Sequence, residues 1–501
     1  MRWDNTFKYS TIYRLHDPDE EQLAEYIGTG AGDGDYNFNK GIASNRLDWL
    51  TEFDVTKGKM GARVSAAAWY DSVYSKGNDN NTGITHNVSV PADEFTDGTK
   101  DAVGQDVRLM DAFAFVKGNV ADMPARLTLG QHTVIYGETL MSGSNGIANA
   151  QGPVDIVQAA TVPGAQVKEF LLPTNQISAT LRPNTQFSLG AYYQFEWEES
   201  PFFAPGSFLS PNDTLGEGTE ALLNTPVGGA VEHGDDFTPD DSGQWGMQLR
   251  YRPESVDVEL GFYAANYHDK VASALYLNPL TGTFSRVFQE DIRTYGLSAS
   301  TVLGDDNVSI EVSMRDNQPL TGGFCGATLS CGFLQIGIGA DNKDHQTYAV
   351  GKTAHVTLVD IHIFQPNALM RDGGSVAVQY DWHTVRSVTK NESAIDPTTS
   401  KSAQQITVAF TADYYQVAEG IDLSVPIVLS YNTGRSRVYA GWVENGGSVD
   451  VGLKATYLND WKMGVNWHHF FGDHGTEIGD GHFDQTLWDR DYLSFNLSRA
   501  F

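Results

Sequence analysis

Few residues of this chain are spaced for covalent or metal chemistry. Its two cysteines, Cys325 and Cys331, stand in Cys-Gly-Ala-Thr-Leu-Ser-Cys. Two thiols without companion ligands make a poor zinc site. Five intervening residues in a Gly-rich stretch suit a small disulfide, which an oxidising compartment permits. Asp33-Gly34-Asp35-Tyr36-Asn37-Phe38-Asn39 begins like a calcium loop, yet Phe38 stands where the turn glycine belongs and the distal glutamate is missing. A loosely held calcium ion is the most it allows, and no other cofactor is expected. His468, His469 and His474 invite a metal reading, but adjacent strand residues point to opposite faces. Gly143-Ser144-Asn145-Gly146 lacks the spacing of a nucleophile elbow. No nucleophile is singled out beside a partner base, so the chain does not read as an enzyme.

The elements that would position any site are strands. Trp3, Asn5, Phe7, Tyr9, Thr11 and Tyr13 line one face of a first strand. Val376-Val378-Tyr380-Trp382 and Leu423-Val425-Ile427-Leu429 repeat the period-two pattern far downstream. At the end of the chain Leu493, Phe495 and Leu497 alternate with Ser494, Asn496 and Ser498, and the last residue is Phe501. A closing strand of this kind is how outer-membrane barrels finish. Hydrophobic residues make up 41% of 501, and the mean hydropathy is −0.32. No apolar run approaches the roughly 20 residues a membrane helix needs, whereas a barrel strand hides its apolar face by alternation. Met1 runs straight into strand-like sequence, as expected of a mature chain with an added start residue.

Connections alternate in length. Short ones fall near 57–60, 118–125, 183–186, 253–257, 304–307, 418–421 and 458–461. Long ones fall near 16–43, 75–106, 137–175, 199–243, 268–290, 317–345, 388–402, 433–447 and 472–489, and 360–373 breaks the rhythm. The expectation is therefore an all-β protein and a single domain, 1–501. It is a transmembrane antiparallel β-barrel of about 18 strands, with 16 the nearest alternative, short periplasmic turns and long extracellular loops. Trp3, Tyr13, Trp69, Tyr70, Tyr193, Trp197, Trp461 and Trp467 would form its interfacial aromatic girdles. With 33 basic against 63 acidic residues, a net charge of −30, nucleic acid is not an expected partner. Acidic loop clusters read either as solvated loops or as sites of divalent-cation bridging to lipopolysaccharide. Outer-membrane lipid and lipopolysaccharide are the expected surroundings.

Residues 127–181 carry the most individual sequence: Leu127-Thr128-Leu129-Gly130-Gln131-His132, Tyr136-Gly137-Glu138, Gly152-Pro153-Val154-Asp155, Val162-Pro163-Gly164-Ala165, Lys168-Glu169 and Leu171-Leu172-Pro173. With Gln194-Glu196-Trp197-Glu198, Glu290-Asp291-Ile292-Arg293 and Asn317-Gln318-Pro319-Leu320, this segment resembles the outer-membrane family catalogued as domain of unknown function 1302. Gln131-His132 replaces that family's Arg-Gln pair, and Tyr136 replaces a Trp. The resemblance implies an outer-membrane barrel, and a periplasmic or RND-type transport partner in the traffic of hydrophobic or amphiphilic molecules.

Residues 137–175 differ from the acidic loops 16–43 and 199–243 in being low in charge and rich in Ile147, Val154, Ile156, Val157, Val162, Phe170, Leu171 and Leu172. Apolar residues on a surface loop need burial, and folding into the barrel mouth supplies it; packing on the rim is the alternative. If the aromatic-rich faces meet lipid, Arg126, Ser188, Tyr192, Gln194, Glu196, Glu198 and Arg250 face the lumen. The expected substrate path is lined by Arg126, His132, Tyr136, Glu138, Ile147, Val154, Asp155, Ile156, Val162, Phe170, Leu171, Tyr192, Gln194, Glu196 and Arg250. The expected activity is passage of hydrophobic or amphiphilic small molecules, read as uptake. Export through an RND-linked route and a general cation-preferring porin are the alternatives.

Overall fold

The structure is a computed structural model and describes residues 1–29, 32–222, 229–323, 331–474 and 484–501. Its frame is an 18-stranded antiparallel sheet closed on itself. In chain order the strands are β1 Arg2–Arg14, β2 Gly41–Lys57, β3 Met60–Asp71, β4 Gln105–Val120, β5 Met123–His132, β6 Thr174–Leu181, β7 Phe187–Gln194, β8 Trp245–Tyr251 and β9 Val258–Tyr267. They continue as β10 Ile292–Leu303, β11 Asp306–Pro319, β12 Val350–Phe364, β13 Gly374–Lys390, β14 Ser402–Ala418, β15 Ile421–Thr433, β16 Gly447–Tyr457, β17 Trp461–Phe471 and β18 Tyr492–Ala500. Each pairs with its sequence neighbour, and β18 returns to β1 with Thr6 opposite Ala500 and Arg14 opposite Tyr492. Phe501 extends the closure: it exchanges backbone hydrogen bonds with Asn5 at 2.8 and 2.9 Å and stacks its ring on Phe7. Closure removes the unpaired edges that lipid would not tolerate.

Alternation decides which face each residue takes. Along β11, Ile310, Val312 and Met314 are exposed on the outside, while Ser309, Glu311, Ser313 and Arg315 are buried inside. β1 repeats this with Phe7, Tyr9 and Tyr13 outward and Lys8, Ser10, Ile12 and Arg14 inward. Trp3, Tyr70, Tyr193 and Trp467 are exposed on the outer surface as girdle residues should be. Trp69 departs from the girdle reading. It neighbours Tyr70, so the pleat turns it inward, where the Arg46 and Arg108 guanidinium groups lie about 5 Å from its ring.

Turns at one end are short. Lys57-Gly58-Lys59-Met60 closes tightly with Gly58 at φ +61°, and Ala121-Asp122 has positive φ at both positions, as a two-residue hairpin turn requires. The irregular stretch 360–373 resolves into the ends of β12 plus a longer turn on this same side. Long connections gather at the other end and build a cap. Phe38, Tyr74, Phe95, Val157 and Phe208, from four different connections, pack over Ile12 and Tyr492. Short strands at Ala221–Leu222, Val231–His233, Ala274–Asn278, Thr283–Val287 and Leu334–Ile336 join the connection that carries Phe208 and two further ones into a small sheet. Cys331 is buried; its expected disulfide partner Cys325 lies outside the described residues. Among the described residues no helix is long and apolar enough to cross a membrane.

Candidate functional site

After His132 the chain leaves the wall and does not rejoin it until Thr174. Its path is fixed by polar side chains on the inner face of distant strands. The Glu311 carboxylate of β11 accepts the Glu138 and Ile147 backbone N–H groups at 2.8 and 2.5 Å. Gln379 of β13 accepts those of Leu140 and Met141 at 2.8 Å each and donates to the Ser142 carbonyl at 2.9 Å. Asn145 is wholly buried against β12, donating to the Val356 carbonyl at 3.0 Å and pairing with His355 Nδ1 at 2.9 Å. Arg315 and the Tyr439 hydroxyl both donate to the Ser144 carbonyl. β11 to β13 are six to eight strands from β5, and half of eighteen is nine. The segment therefore reaches across the barrel to the far wall.

Two glycines let its backbone come so close. A Cβ at Gly137 would stand 2.5 Å from one Glu311 carboxylate oxygen, and one at Gly146 would stand 2.8 Å from the other. Gly137 also has φ +102°, a conformation that side chains oppose.

The returning half is held by ion pairs on the near wall. Asp155 caps the helix Ile156–Thr161 by accepting the Gln158 N–H at 2.8 Å, and Arg108 of β4 pairs with it at 2.5 Å. Lys8 of β1 meets Glu169 at 2.6 Å, and Lys168 meets Glu52 of β2. Tyr136, Ile147, Tyr192 and Tyr263 form an apolar knot between segment and wall. Tyr192 also donates to the Ala150 carbonyl at 3.0 Å, and Gln194 to that of Gln151 at 2.8 Å.

Between the segment and the β3–β8 wall lies a cavity of about 680 Å³. Arg126, His132, Tyr136 and Leu171 line it, with Val134, Ile135 and Val167 on the segment side and Arg63, Asp111 and Phe113 on the wall. Arg126 lies 4.2 Å over the Phe115 ring and forms no ion pair among the described residues. His132 is held by the Gly130 carbonyl and the Ser178 hydroxyl at 2.8 and 2.7 Å.

The other residues expected on the path fall elsewhere. Ile147 and Val162 are buried in packing, and Ile156 and Phe170 are half-buried. Val154 bridges Leu171 through the backbone. Arg250 pairs with Glu259 at 2.5 Å and reaches Glu138 at 3.5 Å. Glu196 lies past the end of β7, where it accepts the Asn175 N–H at 3.3 Å. Glu311, Arg315, Gln379, Asn145, Lys8 and Arg108 were not anticipated. The alternation within Ser309–Arg315 marks two of them as inward-facing, and nothing in their spacing names a partner.

The calcium-like motif does not converge on one point. Asp35 turns to Arg14 at 2.7 Å, Asn37 donates to the Gly206 carbonyl at 3.0 Å, and Asp33 approaches His86. His468, His469 and His474 likewise go to Asp450, Asp491 and the Trp488 ring.

A closed, edge-free barrel with an apolar outer band, aromatic residues at strand ends and one-sided long connections is a transmembrane β-barrel of the bacterial outer membrane. Within that class the chain belongs to the DUF1302 family, proteins of unknown function, matched over residues 1–501. No curated protein matches it. Among solved structures it is similar to Acinetobacter baumannii OccAB2, at 10% identity and TM-score 0.48, covering 100% of this chain and 97% of that one. It is also similar to a BenF-like porin from Pseudomonas fluorescens, at 10% identity and TM-score 0.45 over 100% and 97% of the two chains. Pseudomonas aeruginosa OccK2, solved with glucuronate, is similar at 10% identity and TM-score 0.43, again over 100% and 97%.

Proposed function

We propose that this protein is an outer-membrane channel for the uptake of hydrophobic or amphiphilic small molecules, with residues 133–173 as its constriction. The observation that carries the reading is the two-sided chemistry of the cavity beside that segment. Val134, Ile135, Val167 and Leu171 offer an apolar surface, and Arg126 offers a charge that no carboxylate among the described residues engages. A volume of about 680 Å³ matches a small organic solute. Together these favour an apolar body with an acidic head over a neutral sugar.

The test is block of ionic current through single channels in planar bilayers. An aliphatic carboxylate should block the wild type at a lower concentration than a neutral sugar of equal size. Arg126→Ala should raise the blocking concentration of the carboxylate by about ten- to a hundredfold, since a hydrogen bond to a charged group contributes roughly 1.5–3 kcal/mol. Equal block by sugar and carboxylate would remove the reading.

A further inference from the structure

Away from the lumen, three connections of the cap bring Asp33, His86 and Asp213 together. They come from the stretches between β1 and β2, β3 and β4, and β7 and β8. All three are buried, at 3%, 3% and 0% exposure. One ligand atom from each lies within 4.8 Å of the other two. His86 Nδ1 stands 3.0 Å from Asp213 Oδ2 and 3.7 Å from Asp33 Oδ1.

Both carboxylates are held in place by backbone and hydroxyl donors, and the Asp213 oxygen nearest the imidazole is itself one of the acceptors. Asp213 Oδ2 accepts the Gly32 and Asp33 N–H groups at 2.6 and 3.0 Å, and its Oδ1 accepts that of Gly206 at 3.2 Å. Asp33 Oδ2 accepts the Thr85 hydroxyl and the His86 N–H at 2.6 and 3.1 Å. The imidazole is the exception. Among the described residues neither of its ring nitrogens makes a hydrogen bond, although both are buried. A buried histidine nitrogen aimed at two fixed carboxylates without hydrogen-bond geometry is placed as a ligand is placed.

We propose that Asp33, His86 and Asp213 bind a zinc ion that clamps three surface connections together. Metal–ligand lengths of about 2.0–2.2 Å put tetrahedral ligands about 3.3–3.6 Å apart, and the separations of 3.0 and 3.7 Å bracket that edge. Two carboxylates with a neutral imidazole carry the charge that a divalent cation cancels. No Lys or Arg pairs with Asp33 or Asp213 among the described residues, and nearby Arg14 and Arg490 face Asp35. Calcium is disfavoured because it takes six to eight oxygen ligands and imidazole is not among them.

A proton is the competing occupant. Burial alone would pull the His86 imidazole down, but the Asp213 and Asp33 carboxylates overcome it and push its pKa up to about 10.

The full-length protein, purified in detergent, is incubated with zinc chloride and desalted, and its metal is measured. The wild type should retain about one zinc per chain. His86→Gln and Asp213→Asn should lose it, and His345→Gln, which removes an exposed surface histidine, should keep it. Cobalt replacement in the wild type should give the intense visible bands of a tetrahedral site, a readout independent of how the variants fold. Equal zinc in wild type and His86→Gln, or a cobalt spectrum of the hexa-aquo type, would overturn the site and leave a protonated imidazole between two carboxylates.

Discussion

Glu311 and Ile147 are 164 residues apart, yet the Glu311 carboxylate on the wall accepts the Ile147 N–H at 2.5 Å inside the barrel. Its other oxygen takes the Glu138 N–H, so one side chain fastens both ends of the glycine-rich stretch. Removing the carboxylate orphans two N–H groups, each at a cost of about 1–3 kcal/mol. Glu311→Ala should therefore leave the barrel folded and release the segment from the far wall. Single-channel recording should show higher and noisier conductance than wild type, and an unchanged trace would mean that Gln379 and Asn145 suffice to hold it.

Replacing residues 143–165 with a short Gly-Ser linker probes the constriction more drastically. It removes the Asn145, Arg315 and Asp155 attachments together. Conductance should widen and discrimination between carboxylate and sugar should fall. Unchanged conductance would place the limiting gap elsewhere.

Strands and loops were legible in the sequence because a barrel wall has two unlike solvents. Lipid on one side and polar lumen on the other force the alternation seen at Phe7-Lys8-Tyr9-Ser10, and the one-sided cap forces alternate loop lengths. Anchors were not legible. Glu311 and Gln379 sit where any polar lumen residue would, and their partners are chosen by where the segment lands across the barrel. Asp33, His86 and Asp213 come from three connections, so no local spacing could announce them. Val157 and Ile147 were recognised as needing burial. The structure buries the first under the loop cap and the second among tyrosines of the wall.

Arg14 is wholly buried and holds Asp35 at 2.7 Å, Asp489 at 2.8 Å and the Phe38 carbonyl at 2.6 Å. It ties the first connection to the last at the seam where the barrel closes. Arg14→Met would keep much of the volume, take the ion-pair partner from Asp489 and leave Asp35 only the more distant Arg490 at 3.5 Å, a loss of about 3–5 kcal/mol. The thermal unfolding midpoint should drop. The double variant Arg14→Met with Asp35→Asn should recover part of it, and no recovery would assign the loss to packing alone.

Glu198 and Glu199, just past β7, supply the pH dependence. Burial raises both to about 7; the Glu196 carboxylate adds to the first, while Arg286 opposes the rise at the second. A carboxyl raised on folding contributes stability that is fully present below the ordinary glutamate range and is lost as pH climbs through the folded value. The connection 195–244 should therefore be better packed at pH 5 than at pH 8, with most of the loss falling between the ordinary glutamate range and about 7. Amide exchange in that connection, corrected for its intrinsic pH dependence, should be slower at the lower pH. The double variant Glu198→Gln with Glu199→Gln should show the slow rate at both. Exchange that is equally fast at both pH values in the wild type would show that the two carboxyls do not control the packing of this connection.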